Sequence, residues 1–410
     1  AMVHAMADPR HPFRWVIFAA MAGVYFTFGT MVASIPPMVS TVRADLGISR
    51  TAMGLALGAW ALIYVVSAPL AGKIIDRIGL QYSIGIGALT VVASGFARAA
   101  AQGLGTLWLA IAIFGVGGPL VSASAPKLIA VWFGDPSERR LAVGLYTASP
   151  ALGGMASLLL TNSVLLPWLG GWREVLIAYS LASAVTWVVW VVVAAMAPPT
   201  PTPTHGRAPS GSSDNDWRAL LQSPGVRLAL VLGISSFFVN HGLASWLPDA
   251  LETESGLSTT ASSNWVALSA GVGIIATLMI PKNATPERRP KIMAWIMAIM
   301  AVSLVGIAYG STVITVISST SLGVRSALVP LVIVTLMEAD RVTPTNMGLA
   351  NGLWFSFVEI GGAGGPLAIG AISDTSGGFA AAMALLAGIL VAMIIISLMW
   401  TGDGRRVSPT

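Results

Sequence analysis

The 410-residue chain contains no cysteine, and charged residues make up only 10% of it. Without a thiol it cannot form disulfides, thiolate metal sites or a cysteine nucleophile. The four histidines (His4, His11, His205 and His241) are scattered, and no two have the spacing of metal ligands. A soluble fold of this length carries about 25% charged residues. The composition therefore excludes a soluble enzyme, a nucleic-acid-binding domain and a disordered chain.

Signatures of catalysis are missing as well. The Gly115-x-Gly117 pattern does not follow a strand, so it is not a dinucleotide site, and no phosphate-binding loop is present. No paired carboxylates or nucleophile–base pair occur at one depth of the apolar segments. We therefore expect no enzymatic activity, no cofactor, no metal and no direct use of ATP.

Long apolar segments dominate what is present, since 55% of the residues are hydrophobic. A bilayer-spanning helix needs about 20 apolar residues. This criterion predicts an all-α integral membrane protein, with the lipid bilayer as its surroundings, and twelve spans. The spans are 15–40, 51–73, 80–101, 106–132, 140–165, 174–196, 225–248, 259–281, 291–310, 311–337, 345–371 and 377–401.

Lysine and arginine placement gives the orientation, because basic residues are concentrated in cytoplasmic loops. With a cytoplasmic N-terminus, sixteen basic residues lie on the inner side, and only Arg43, Arg50, Arg98 and Arg173 lie on the outer side. The sequence thus predicts a multi-pass protein of the inner (cytoplasmic) membrane with both termini in the cytoplasm.

The longest polar stretch, 197–224, is rich in proline, threonine, serine and glycine and reads as a flexible cytoplasmic linker. It separates an N-terminal bundle of six spans, 1–196, from a C-terminal bundle of six spans, 225–410.

The two halves repeat each other. The fifth span carries A-x-G-L-Tyr146 and later Gly153-Gly154, and the eleventh carries A-x-G-L-Trp354 and later Gly361-Gly362, at a constant offset. Two related six-helix bundles facing each other are a transporter architecture with its site between the halves. We therefore expect two pseudo-symmetric bundles around a central cavity.

A loop motif extends this interpretation. The segment GKIIDRIG, residues 72–79, resembles the G-x-x-x-D-R-x-G loop between the second and third helices of the major facilitator superfamily. The resemblance covers essentially the whole chain. It implies that Asp76 meets the N-terminus of the eleventh helix when the cytoplasmic side is closed, with Gly72, Arg77, Gly79 and Arg139 in the same gating region. Positive-inside anchoring explains these arginines equally well.

Several shorter segments are similar to the cyanate permease and nitroimidazole transporter branch of that superfamily, and oxalate/formate and monocarboxylate carriers are a second near match. They are 34–37 (SIPP), 45–49 (DLGIS), 144–147 (GLYT), 170–173 (GGWR) and 246–248 (WLP). The chain departs from the branch at 29–31, where the branch has an arginine and this sequence reads Gly-Thr-Met, and at Ala130, where the branch has a lysine.

Ionisable side chains inside a span are costly and indicate function. Arg325 and Glu359 lie near the middle of the antiparallel tenth and eleventh spans, at similar depth, so they are expected to be neighbours. They form either a structural ion pair or an anion site, in which Arg325 binds the substrate and Glu359 competes with it or carries a coupling proton. Lys127 lies nearer the cytoplasmic end of the fourth span, where it lines the cavity or extends toward the cytoplasm.

Polar and aromatic side chains in the spans complete the candidate binding set. His241, with Asn240 before it, would relay protons or donate to substrate, or it is a neutral histidine near the outer interface. The repeat places Tyr146 and Trp354 on opposite sides of the cavity. Further candidates, for which packing is the alternative role, are Tyr25, Tyr64 and Asn351.

Two cations and one carboxylate within the spans favour a small anion as the substrate. The sequence therefore predicts a monomeric secondary active transporter of a small organic or inorganic anion, working by proton coupling or exchange, with no nucleic-acid partner. A proton-driven exporter of amphipathic drugs and a non-transporting membrane receptor are the alternatives.

Overall fold

The structure is a computed structural model that describes residues 12–198, 217–343 and 346–400. Twelve helical spans in these ranges are long and apolar enough to cross a membrane, which confirms the predicted number. We label them α1 Phe13–Leu46, α2 Arg50–Ile78, α3 Leu80–Ala99, α4 Leu104–Trp132, α5 Pro136–Leu169, α6 Trp172–Met196, α7 Pro224–Ser255, α8 Thr259–Asn283, α9 Arg289–Tyr309, α10 Thr312–Met337, α11 Met347–Ser373 and α12 Gly378–Met399.

The region predicted as a linker is partly helical. A short helix, Trp217–Gln222, precedes α7, while residues 199–216 lie outside the described ranges. Ser223 then caps α7 by accepting a hydrogen bond from the backbone of Val226, and Pro224 occupies the first helical turn. Both are favoured at a helix start, so the second bundle begins where its local sequence dictates.

Three spans contain a 3₁₀ or π-helical segment away from their ends. The C-terminal part of α1 contains a 3₁₀ turn at Pro36–Met38, α5 contains a π-helical segment at Thr161–Leu165, and α10 contains a 3₁₀ segment at Leu322–Ala327. Such segments are tolerated in a membrane only where the freed backbone groups find partners, and they often mark functional positions. Arg325 lies in the 3₁₀ segment of α10.

Helix packing repeats between the two halves. In the first bundle α1 packs on α5, α2 on α4, and α3 on α6; in the second α7 packs on α11, α8 on α10, and α9 on α12. Each packed pair in the first bundle therefore has an equivalent pair in the second bundle, six helices further along the chain. The pseudo-symmetry expected from the sequence repeat is therefore present in the packing.

The bundles meet along α2 with α11 and α5 with α8. On α2, Gly54 and Gly58 lie so close to the backbone oxygens of Pro366 and Ala363 that a Cβ atom at either glycine would overlap them. Small residues at a membrane helix interface allow such close contact. This contact lies on the predicted outer half of the membrane, where α2 begins.

Candidate functional site

Cross-bundle hydrogen bonds fasten the predicted outer side. Asp374, which follows α11, accepts hydrogen bonds from the backbone of Arg50 (3.1 Å) and from the backbone (2.8 Å) and hydroxyl (2.7 Å) of Thr51. Arg50 also lies 3.6 Å from Asp249 of α7. A helix N-terminus has unpaired N–H groups and a partial positive charge, so a carboxylate there is stabilising. Asp374 thus links the start of α2 to the opposite bundle.

This contact is charged at neutral pH. Burial raises the pKa of Asp374, but the hydrogen bonds from Thr51 and Arg50 outweigh that effect, and the net pKa is lowered from the ordinary aspartate value. A carboxyl group whose pKa is lowered in the folded protein stabilises the fold above its ordinary pKa, and that stabilisation is lost as the pH falls through the lowered value. The Asp374 carboxylate therefore favours this contact at neutral pH.

Asn162, on the π-helical segment of α5, makes a second cross-bundle contact. Its side-chain amide donates to the carbonyl of Pro37 (2.6 Å) and to the hydroxyl of Ser263 on α8 (2.8 Å). The sequence analysis did not select Asn162, although a buried amide within an apolar span is a detectable signal. Together with the Asp374 contact, it closes the predicted outer side.

A central cavity of about 260 Å³ lies between the bundles beneath this closure. Both bundles contribute to its wall. Its lining residues are Val32, Ala33, Ile35, Pro36, Leu57, Trp60, Arg98, Ile111, Ala151, Gly154, Met155, Leu158, His241, Ala244, Ser245, Val266, Ala270, Arg325 and Pro366. Two guanidinium groups line this cavity, and none of these lining residues is acidic.

Arg98 was not among the predicted binding residues. It lies in the last turn of α3, at the predicted outer end of the span, and only 2% of it is exposed. Its guanidinium donates from Nη1 to the carbonyl of Met31 (2.7 Å) and the hydroxyl of Ser34 (3.2 Å), and from Nε to the hydroxyl of Ser94 (3.2 Å). These acceptors fix it at the end of the helical part of α1, facing the cavity.

Arg325 reaches the cavity from the other bundle. Its Nη1 donates to the hydroxyl of Ser269 on α8 (3.4 Å) and to the carbonyl of Leu322 (3.3 Å). Nε and Nη2 make no hydrogen bond to the described part of the chain. A second cavity of about 120 Å³ between α5 and α8 also reaches Arg325 and is lined by Thr147 and Thr277 nearer the predicted cytoplasmic side.

The predicted contact between Arg325 and Glu359 is wrong. Depth along a helix is similar for the two residues, but they face different neighbours. Oε2 of Glu359 lies 3.9 Å from Nδ1 of His241 on α7, and neither atom has a hydrogen-bond partner among the described residues. The absence of a side chain at Gly362 makes room for His241, because a Cβ atom at this position would collide with the imidazole. His241 also lines the central cavity and lies against the Trp60 ring, 5.0 Å between centroids.

The remaining binding candidates lie outside the lining of the central cavity. Trp354 is fully buried and donates its indole N–H to the carbonyl of Ala229 (3.0 Å), so it joins α11 to α7 and does not face Tyr146 across the cavity. The hydroxyls of Tyr146 and Tyr25 lie 3.4 Å apart within the first bundle. The others are Tyr64, buried between α2 and α4 beside Gly118; Asn240, which donates to the carbonyl of Ser236; and Asn351, which is half-buried.

At the predicted cytoplasmic side, Nζ of Lys127 lies 2.8 Å from Oδ1 of Asp76, and both side chains are about half exposed. Lys127 therefore pairs within its own bundle and does not line the central cavity. Gly79 has a φ of 87°, a conformation that favours glycine.

Arg139 of the predicted gating set also contacts its own bundle. Its Nε donates to the carbonyl of Phe133 at the end of α4 (2.9 Å). The neighbouring Glu138 binds Arg14 of α1 (2.8 Å). Arg77 is exposed and Gly72 is half-buried.

Asp76→Asn tests the gating role. We expect slower transport with equilibrium ligand affinity within a few-fold of wild type, because Asp76 lies far along α2 from the lining residue Leu57 and the change removes only the charge of one carboxylate. Transport rate in proteoliposomes and binding to purified protein measure the two effects. Lys127→Gln removes the partner observed here and serves as the comparison. A folded Asp76→Asn protein that no longer binds ligand would contradict the gating role.

A cavity between two pseudo-symmetric six-helix bundles, closed toward one predicted side of the membrane, is an arrangement found in membrane transporters. The sequence profile of the Major Facilitator Superfamily matches residues 21–338, and the chain belongs to this family.

Relatives are similar over most of their length. The hexuronate transporter of Bacillus subtilis (strain 168) is 24% identical, covering 92% of this chain and 91% of the relative. The quinolone resistance protein NorA of Staphylococcus aureus (strain MRSA252) is 23% identical, covering 92% and 96%. The crystal structure of a bacterial homolog to the human lysosomal transporter Spinster, inward-facing and unoccupied, has a TM-score of 0.72 at 16% identity over 95% of each chain. That likeness supports the fold.

Proposed function

We propose that this protein is a secondary active transporter of a small organic or inorganic anion. The observation that carries the proposal is the central cavity, whose lining includes Arg98 and Arg325 and no carboxylate. Placing two cations in a low-dielectric site costs free energy unless an anion compensates them. Guanidinium groups also match the geometry of oxyanions. An anion that enters the cavity therefore neutralises charge that the described protein leaves unpaired.

The relative named a hexuronate transporter is consistent with an acidic substrate, although similarity at this level does not transfer the substrate itself. The contacts of Asp374 and Asn162 hold the bundles together at the predicted outer side, so in this proposal the described state opens toward the cytoplasm. Arg325 also lines the second cavity, which lies nearer the predicted cytoplasmic side.

Coupling uses a proton or exchange of anions in this proposal. Glu359 is 4% exposed and lies next to His241, which lines the central cavity. A buried carboxylate without a hydrogen-bond partner is costly when ionised, so a proton on Glu359 relieves that cost. The pair also lies next to the contact of α2 with α11. A proton bound there is therefore placed to affect both the cavity and the closure between bundles.

The direct test combines binding with transport. Small anions are screened for thermal stabilisation of purified protein, because a ligand that binds only the native state raises its unfolding temperature. Anions that stabilise it are then followed as radiolabelled solutes into proteoliposomes. Saturable uptake supports the proposal. Efflux of amphipathic cationic dyes without any response to anions would overturn it.

Export of amphipathic drugs is the second candidate function. It is favoured by the apolar wall of the central cavity and by similarity to a quinolone resistance protein. The charge of the wall opposes cationic drugs, because Arg98 and Arg325 would repel them. A non-transporting receptor, the third candidate, would bind an anion without moving it across proteoliposomes.

Orientation in the bacterial inner membrane is tested by cysteine labelling, for which the cysteine-free chain is a clean background. With cytoplasmic termini, Gln102→Cys, in the loop between α3 and α4, should react with a membrane-impermeant maleimide in intact cells. Ser210→Cys should react only after permeabilisation. The reverse pattern would reverse the proposed topology. The monomeric state that we propose is measured by light scattering of the purified protein.

A further inference from the structure

The wall of the central cavity is poor in polar groups. Apart from Arg98 and Arg325, the lining side chains that carry polar atoms are His241, Ser245 and Trp60; the others are aliphatic, alanine, glycine, proline or methionine. The lining contains no asparagine, glutamine or acidic residue. The cavity therefore provides strong anion-binding groups and an otherwise apolar surface.

Its two cations are held differently. Arg98 is fixed by three hydrogen bonds to the first bundle, whereas Arg325 uses only Nη1. Nη2 of Arg98 and both Nε and Nη2 of Arg325 have no hydrogen-bond partner among the described residues. The two arginines belong to opposite bundles, so a ligand bound to both would join the two halves of the protein.

Two classes of anion fit this wall poorly. A small inorganic oxyanion would leave most of the 260 Å³ and its apolar surface in contact with water. A sugar acid would bury several hydroxyl groups, each of which needs a hydrogen-bond partner, but only His241, Ser245 and Trp60 remain to provide one. A buried hydroxyl without a partner costs free energy.

We infer that the occupant is a small organic carboxylate with an apolar body, its carboxylate bound by Arg325 and Arg98 and its body lying against the apolar wall. The inference rests on the proposed anion transport and narrows it to one substrate class. Pockets for drug-sized ligands span about 300–1,000 Å³. A cavity of about 260 Å³ therefore suits an acid smaller than most drugs.

Chain length provides the test. Straight-chain monocarboxylates from acetate to octanoate are titrated into purified protein, and Kd is derived from the thermal shift. Each buried methylene group should lower Kd about fourfold, until the cavity is filled and affinity stops rising. Glucuronate, with the same number of carbons as hexanoate, should bind at least tenfold more weakly than hexanoate, and so should nitrate. Neutral hexanamide should not bind.

Two variants separate binding in the cavity from partition into detergent. Arg325→Gln should remove the response to every carboxylate, whereas partition would persist. Ala244→Leu, which adds bulk to the lining of the cavity, should move the best acid to a shorter chain. Val231→Leu, on an exposed position of the same helix outside the cavity lining, is the matched control and should leave the series unchanged.

The outcomes distinguish the two levels of the proposal. Tight, Arg325-dependent binding of glucuronate or nitrate, without a gain from added methylene groups, would overturn the substrate class and leave anion transport standing. Stabilisation by amphipathic cations with no response to any anion would overturn anion transport itself. A fourfold fall in Kd per methylene group, together with a shorter best-binding acid in Ala244→Leu, would support an organic carboxylate as the substrate.

Discussion

Arg325→Gln is expected to lower anion affinity about a hundredfold or more, while the purified protein stays folded and unfolds at the same or a higher temperature. Arg325 has no acidic partner among the described residues, so its removal relieves a buried cation without leaving an unpaired anion. A structural ion-pair residue would behave in the opposite way. Thermal unfolding with and without anion measures both effects on one sample.

Comparison variants sharpen this prediction. Arg325→Lys should recover little binding, because an ammonium group cannot reproduce the planar guanidinium fork. Arg173→Gln is the matched control: Arg173 pairs with Asp45 at the protein surface (2.7 Å), outside the cavity lining, and its removal should leave affinity unchanged. Wild-type affinity in a folded Arg325→Gln protein would contradict the anion site.

The double variant Arg325→Ala with Glu359→Ala should bind anion no better than Arg325→Ala alone. If the two residues had formed a structural pair, removing both would have restored stability and transport. The contact of Glu359 with His241 removes that expectation. Near-normal transport by the folded double variant would mean that neither residue serves the substrate.

Glu359→Gln is expected to lose uptake driven by a pH gradient while retaining counterflow, the exchange of labelled for unlabelled anion at equal pH. Glutamine has nearly the same shape as protonated glutamate but cannot release a proton. The described titratable groups facing Glu359 are His241 of α7, 3.9 Å away, and Tyr64 of α2. Both lie on helices packed against α11. The variant therefore removes the one carboxylate among these titratable groups and leaves Arg98 and Arg325 of the cavity unchanged.

Two measurements in the same proteoliposomes make this prediction decisive. Gradient-driven uptake should fall to the level of passive equilibration, and counterflow should stay within a few-fold of wild type. His241→Gln should reduce gradient-driven uptake more than counterflow if the imidazole shares the proton. Concentrative uptake by Glu359→Gln at the wild-type level would exclude Glu359 as the proton site.

Position along the spans was predictable for most candidates, whereas the direction in which they face was not. Arg325 and Glu359 were correctly placed inside their spans, because hydropathy and helical rise are local properties. Which neighbour each one meets depends on how α10 and α11 are rotated among other helices. The burial of Arg98 was missed for a related reason: near a helix end, a positive-inside count cannot distinguish a residue at the interface from one turned into the protein.

The amino-acid sequence by itself determined the membrane class, the twelve spans and the two-bundle repeat, because span length, composition and internal similarity are encoded along one chain. Only the tertiary structure decided which ionisable side chains share a cavity. Arg98 and Arg325 are separated by more than two hundred residues and are brought to one wall by the packing of opposite bundles. The same packing places Glu359 beside His241, since close contact of α11 with α7 and α2 fixes the rotation of each helix.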